Sequence, residues 1–160
     1  MFRLILLFNI IFFWAHSFAQ GDPDEKVVGF TCDRGGSATE IAWRLRNLLE
    51  EKRYEGIISG LYSDTAAHQF LAAFAVQRLL KDESIQISHS DSIALSGIMT
   101  SKEKIKICSG CTIHEVAQLR KLLNYKEGDR LNREDQWIPM WLDQAEEWVE
   151  LSIKISASKQ

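Results

Sequence analysis

The sequence predicts a mainly α, single-domain fold of about five or six helices, with at most one or two short extended segments. Three observations predict it. Gly60–Asp82 carries the longest helical apolar pattern beyond the N-terminal twenty residues. Shorter amphipathic stretches, several opened by capping residues, lie on either side of it. Only Lys26–Cys32 and Lys104–Cys108 read as extended; the second alternates apolar and polar residues.

Residues 1–19 have the pattern of a secretory signal. Arg3 is the positive start, Leu4–Phe13 is apolar apart from Asn9, and Ser17-Phe18-Ala19 offers small residues for cleavage. The apolar run is short of the ~20 residues that span a bilayer. No cysteine follows it, so a lipid anchor is not indicated. The expected location is therefore periplasmic or secreted after cleavage near Ala19, with no stable membrane insertion afterwards. Cleavage would remove Arg3 and leave 18 basic against 22 acidic residues. That balance, without any long Lys/Arg run, argues against nucleic acid as a partner.

The remaining chain divides into an extended N-terminal arm (20–36), a helical domain (37–152) and a tail (153–160). Asp33–Gly36 reads as a turn. Ser37 and Glu40 have capping-box spacing and open a helix with Ile41, Ala42, Leu45, Leu48 and Leu49 on one face. Tyr54–Tyr62 is a second, shorter helix weakened by Gly56 and Gly60, so packing must hold it. In the long stretch, Ser63 or Asp64 can cap, and Phe70, Ala73, Phe74, Val76 and Leu80 recur at helical spacing. Polar positions are few there, so other helices should wrap it. Glu83–His89 is a loop with Ile85 and Ile87 turned inward. Ser90 or Ser92 can cap a helix bearing Ile93, Leu95, Ile98 and Met99. Thr112–Glu115 has capping-box spacing again, ahead of Val116, Leu119, Leu122 and Leu123. Asn124–Asp129 is a loop. Asn132 is a candidate cap for the last helix, whose first turns Pro139 should interrupt.

Two resemblances add to this reading. Leu61, Ser63, Asp64, Leu71, Ala72, Ala73, Ala75 and Leu79 resemble the second half of a HEAT-like repeat. The likeness covers about one repeat, and no second copy follows at a fixed period. Phe30-x-Cys32, Tyr54-Glu-Gly-Ile-Ile58, Leu71-Ala-Ala-Phe-Ala75 and Cys108-Ser-Gly-Cys-Thr112 together resemble a group of small exported bacterial proteins of unknown role. That likeness implies no activity. It does imply that Cys32 and the Cys108/Cys111 pair belong to one structural feature.

The three cysteines, Cys32, Cys108 and Cys111, carry the main chemical possibilities. An exported chain meets an oxidising compartment, and an odd count allows one intramolecular bridge with one thiol left over. A bridge from Cys32 closes a long loop and constrains the unfolded chain far more than a C-x-x-C bridge would. The expectation is thus Cys32 with Cys111 or Cys108. Cys111 is slightly favoured, because Cys108 would face away if Ile105 and Ile107 point inward. The alternative is thiol–disulfide exchange by Cys108 and Cys111, whose C-x-x-C spacing precedes a helical signal. A third reading is zinc held by Cys32, Cys108, Cys111 and His114, which are suitable ligand types.

Other chemistry is sparse. His68 sits in the polar notch of the long helix, His89 in a loop, and His16 leaves with the signal. There is no nucleophile elbow, phosphate-binding glycine loop or His-Glu-x-x-His motif, so no cofactor is expected. Glu50-Glu51 and Glu146-Glu147 read as solvated faces. Trp137, Trp141 and Trp148 line one side of the last helix and are either a core seal or a binding patch. The functional expectation is a non-enzymatic module that binds a protein or peptide partner in the exported compartment.

Overall fold

The computed structural model describes residues 27–32, 36–110, 112–131 and 133–158, and of residues 110, 112–115 and 134 the backbone alone. The expected signal therefore lies outside the described residues. The elements are β1 (Val27–Cys32), α1 (Glu40–Glu50), α2 (Tyr54–Ser59), α3 (Ala66–Lys81), α4 (His89–Thr100), β2 (Lys104–Gly110), β3 (Thr112–Gln118), α5 (Leu119–Leu123) and α6 (Ile138–Ser158). Short 3-10 turns occupy Gly60–Tyr62 and Arg133–Asp135. The fold is mainly α, as the apolar periodicity predicts.

α3 lies at the centre. Phe70, Ala73, Ala75, Val76 and Leu79 are fully buried, and the helix touches α1, α2, α4, α5, β1 and β2. Its alanines let neighbours approach: a Cβ on Gly60 would lie 2.9 Å from the Ala72 methyl. Gly60 thus permits close packing of the 3-10 turn on α3, at a cost in local propensity. Ile85 and Ile87 turn inward onto the core, as expected.

The sheet has three strands rather than one or two. β1 pairs in parallel with β2, matching Val28 to Ile107 and Gly29 to Cys108. β2 pairs antiparallel with β3, matching Ser109 to Thr112 and Ile105 to Ala117. Thr112–Glu115 therefore forms strand, not the expected helix cap. The β-branched Thr112 and Ile113 suit a ladder, and β2 supplies the unpaired edge they need. Between Ile105 and Ile107 the partner strand carries an extra residue, a bulge at which Val116 takes φ 75°. Helix begins only at Leu119, and Leu119, Leu122 and Leu123 seal the core.

The outer edge of β1 is covered by the segment that leads into α1. Thr39 donates its hydroxyl to the Gly29 carbonyl (3.2 Å) and accepts from the Gly29 N–H (3.3 Å). Ser37 forms an isolated bridge with Cys32. This corrects the Ser37–Glu40 capping box: α1 starts at Glu40 behind Thr39, which makes no side-chain cap. The Thr39 hydroxyl is already committed to β1. Protecting a strand edge in this way removes a template for unwanted pairing.

Two further boundaries differ from expectation. Thr65, not Ser63 or Asp64, is the N-cap of α3. Pro139 is the second residue of α6 and does not interrupt it, because a fixed φ and a missing N–H suit the first turn. The expected tail is also helical to Ser158. Ser152 and Ser156 continue the buried face of Ala145 and Val149, and serines there read as polar in sequence.

Ser88 rather than Ser90 or Ser92 caps α4, in a reciprocal box with Asp91. The Asp91 carboxylate accepts from the Ser88 hydroxyl (2.6 Å), the Ser88 N–H (3.1 Å) and the Tyr62 hydroxyl (2.8 Å). The Ser88 hydroxyl first, and Tyr62 second, hold the Asp91 carboxyl below its ordinary value of 3.8. A carboxyl that is the stronger acid when folded contributes stability fully above its unfolded value and loses it as pH falls through the folded one. NMR titration should therefore show Asp91 titrating below 3.8. Ser88→Ala should raise that value towards the ordinary one.

Candidate functional site

The anchor of the N-terminal strand is a disulfide between Cys32 and Cys108, 76 residues apart, with Cα atoms 5.6 Å apart. Both residues are buried. Inward-facing Ile105 and Ile107 would turn Cys108 away and slightly favour Cys111 as the partner of Cys32; the bond takes Cys108 instead. Ile105, Ile107 and Cys108 are all buried. Lys104 and Lys106, on the same face of β2 as Cys108, are exposed, but at Cys108 that face is covered by the bond to Cys32 and the pairing with β1, so in/out alternation does not assign it to solvent. Cys111 lies outside the described residues.

This bond bears on both other readings of the thiols. Cys108 is joined to Cys32, so it is not paired with Cys111 for exchange chemistry. The zinc set of the third reading loses two thiolates to the same bond, and His114 is described in backbone only, within β3. Among the described residues, no group of three or more His, Cys, Asp or Glu could hold a metal ion.

Gly29 sits opposite Cys108 in the ladder. A Cβ there would collide with the Cys32 sulfur and come within 2.8 Å of both the Cys108 Cβ and its carbonyl oxygen. Gly29→Ala should lower the unfolding free energy by about 1–3 kcal/mol through overpacking, read by urea unfolding. Reducing the disulfide should cost about 4.5 kcal/mol in the chain-entropy account of a loop this long.

The tryptophans divide between core and edge. Trp141 is 1% exposed and its indole N–H donates to the Cys108 carbonyl at 3.3 Å. It stacks obliquely on Phe30 (5.4 Å) and Phe70 (5.6 Å). Trp141 therefore seals the core and offers no surface to a ligand, correcting its place in a binding patch. Trp137 and Trp148 are half-buried and pack against the same core. Trp148 meets Phe30 at 5.9 Å and Trp43 at 5.2 Å. The Arg46 guanidinium lies 5.0 Å from the Trp43 ring and 5.1 Å from the Trp148 ring, and it pairs with Glu50 at 2.6 Å. That aromatic surface is thus occupied by a cation of its own chain.

Among the described residues, one concavity of about 280 Å³ lies between the start of α3 and β2, and two more lie between helices. The first of these two is a cleft of about 320 Å³ between α1, α2 and α3, walled by Ile41, Leu45, Leu48, Ile57 and Leu71. Arg44, Ser63 and His68 stand among its lining residues. Arg44 pairs with Glu40 at 2.6 Å, and His68 Nδ1 hydrogen-bonds the Thr65 hydroxyl at 2.8 Å.

The second is an open groove between α3 and the α5–α6 side, in adjoining lobes of about 310 and 390 Å³. Phe74, Gln77, Tyr125 and Glu146 line both lobes. Pro139, Leu142, Asp143 and Glu146 recur on one face of α6, and Phe74, Gln77, Arg78 and Lys81 on one face of α3. Arg78 bridges the walls. It donates to Glu146 (2.9 Å), Glu150 (2.8 Å) and Asp82 (3.2 Å). Glu146 thus belongs to this network and not merely to a solvated face.

Phe74, Leu122 and Leu123, all apolar stripe positions in the sequence, line this groove; Leu122 and Leu123 are buried, whereas Phe74 is half-buried beside its fully buried stacking partner Phe70 (5.8 Å). Tyr125, Leu142 and Asp143 carried no signal in sequence, because their neighbours come from α3, some 50 to 70 residues away along the chain. No family model, curated protein or solved structure matches the chain.

The difference between the two phenylalanines is measurable. Phe70→Ala should destabilise by about 3–5 kcal/mol, the cost of a fully buried aromatic plus its cavity. Phe74→Ala should cost only about 1–2 kcal/mol, because one side of the ring already faces the groove. Equal losses in urea unfolding would mean that the groove is closed in solution.

Proposed function

We propose that the chain is an exported, non-enzymatic binding module that presents the groove between α3 and α6 to a protein or peptide partner. The observation that carries this reading is Phe74. A large aromatic in the middle of the central helix is left half-open to a groove, whereas Phe70, Ala73, Ala75, Val76 and Leu79 around it are fully buried. Open grooves between helices that set an aromatic and aliphatic floor within a polar rim are ordinary docking sites for amphipathic peptides.

Export is supported by the signal-like pattern of residues 1–19 and by a disulfide, which persists in oxidising compartments. No helix of the described residues is long and apolar enough to cross a membrane. The bond between Cys108 and Cys32 argues against the alternative, exchange chemistry through Cys108 and Cys111. The α2–α3 pair supports a single HEAT-like hairpin as the scaffold of the groove's α3 wall.

A photo-crosslinking side chain placed at Leu142 should capture a discrete partner from the exported fraction. The same partner should escape capture when Phe74→Glu is added, with the thermal unfolding midpoint lowered but the chain still folded at the assay temperature. Capture that ignores Phe74→Glu, or no capture at all, would refute the groove as a binding surface.

A further inference from the structure

We infer that the groove takes a cationic amphipathic helix of a partner protein; this rests on the groove being the binding surface. Three observations lead there. First, the groove is a trough and not an enclosed pocket. Its α6 wall runs from Pro139 to Val149, a rise of about 15 Å at helical geometry. A helix of about three turns matches that length, and its i, i+3/i+4 and i+7 side chains match the two lobes around Phe74.

Second, the rim is acidic where it is open. Glu127 and Asp143 are exposed lining residues with no hydrogen bond or ion pair among the described residues. Glu146, half-exposed, stands between them and Arg78.

Third, the cations at the groove do not offset this. Arg78 is surrounded by three carboxylates, Asp82, Glu146 and Glu150, and is only 21% exposed. Lys81 lines the Arg78 lobe and leaves the Glu127–Asp143 lobe without a facing cation among its lining residues. An incoming helix would lay apolar side chains over Phe74 and Leu142 and set Lys or Arg against Glu127 and Asp143. Such rim charges guide encounter and select the partner more than they add affinity. An acidic rim also opposes anionic membrane surfaces.

The test uses the full, oxidised chain and three labelled helical peptides of about 12–15 residues, long enough for three turns. They share one Leu face and differ only in carrying Lys, Gln or Glu on the other. Fluorescence polarisation should show the Lys peptide binding about tenfold tighter than the Glu peptide. That advantage should shrink several-fold between about 0.05 and 0.3 M salt, as screening tightens. The double variant Glu127→Lys, Asp143→Lys should abolish the preference. Both side chains are exposed, so the fold should persist by circular dichroism.

If all three peptides bind alike and Phe74→Glu still releases them, the charge selection is wrong and the groove reading survives. If Phe74→Glu releases none of them, both fail. If no peptide binds while the chain forms a dimer that Phe74→Glu dissociates, a second copy is the occupant and this proposal is overturned. No peptide binding by a monomeric chain also overturns it.

Discussion

The junction of β1 with β2 is the constraint on which the rest depends. A parallel pair needs a long crossover and gains nothing until that loop closes. Here the crossover holds four helices, and the Cys32–Cys108 bond fixes its two ends. The backbone at Gly29 lies so close to the bonded residues that no side chain fits. Thr39 and Ser37 then cover the other edge of β1, so a six-residue strand is held from both sides.

That junction also places the last helix. Trp141 donates to the carbonyl of Cys108 and lies against Phe30, while Thr31 bonds Gln144 at 3.2 Å. Phe70 on α3 meets the same indole. Rings thus run in contact from Phe74 through Phe70, Trp141, Phe30 and Trp148 to Trp43. A buried indole whose N–H is satisfied combines large apolar burial with one directional bond. It therefore fixes the rotation of α6 as well as its distance.

With α6 held at the sheet and against α1, it meets α3 at the groove chiefly through long side chains. Arg78 spans to Glu146 and Glu150 instead of apolar residues closing the gap. Each such half-exposed pair is worth little alone, but together they fix the guanidinium across the groove. The groove and the tight aromatic core are thus two results of one docking geometry.

Much of the helical architecture was legible in the chain. The apolar stripe of α3 and the buried face of α1 follow from local periodicity, which a single helix expresses by itself, and the inward turn of Ile85 and Ile87 follows from two apolar side chains in an otherwise polar loop. What failed depended on distant partners. Thr39 could not be read as the residue before α1 with an occupied hydroxyl, because Gly29 is its partner. Thr112–Gln118 could not be read as strand, because β2 decides between a capped helix and a paired edge. Serines at 152 and 156 look polar until α6 is packed. The sequence by itself determined the helical class, the central helix and the cysteines able to join the arm to the body. Only the tertiary structure decided which cysteine pairs with Cys32, that Trp141 is core, and that Phe74 opens onto a groove. Those outcomes depend on how faces from remote segments meet, and periodicity within one segment carries no information about that meeting.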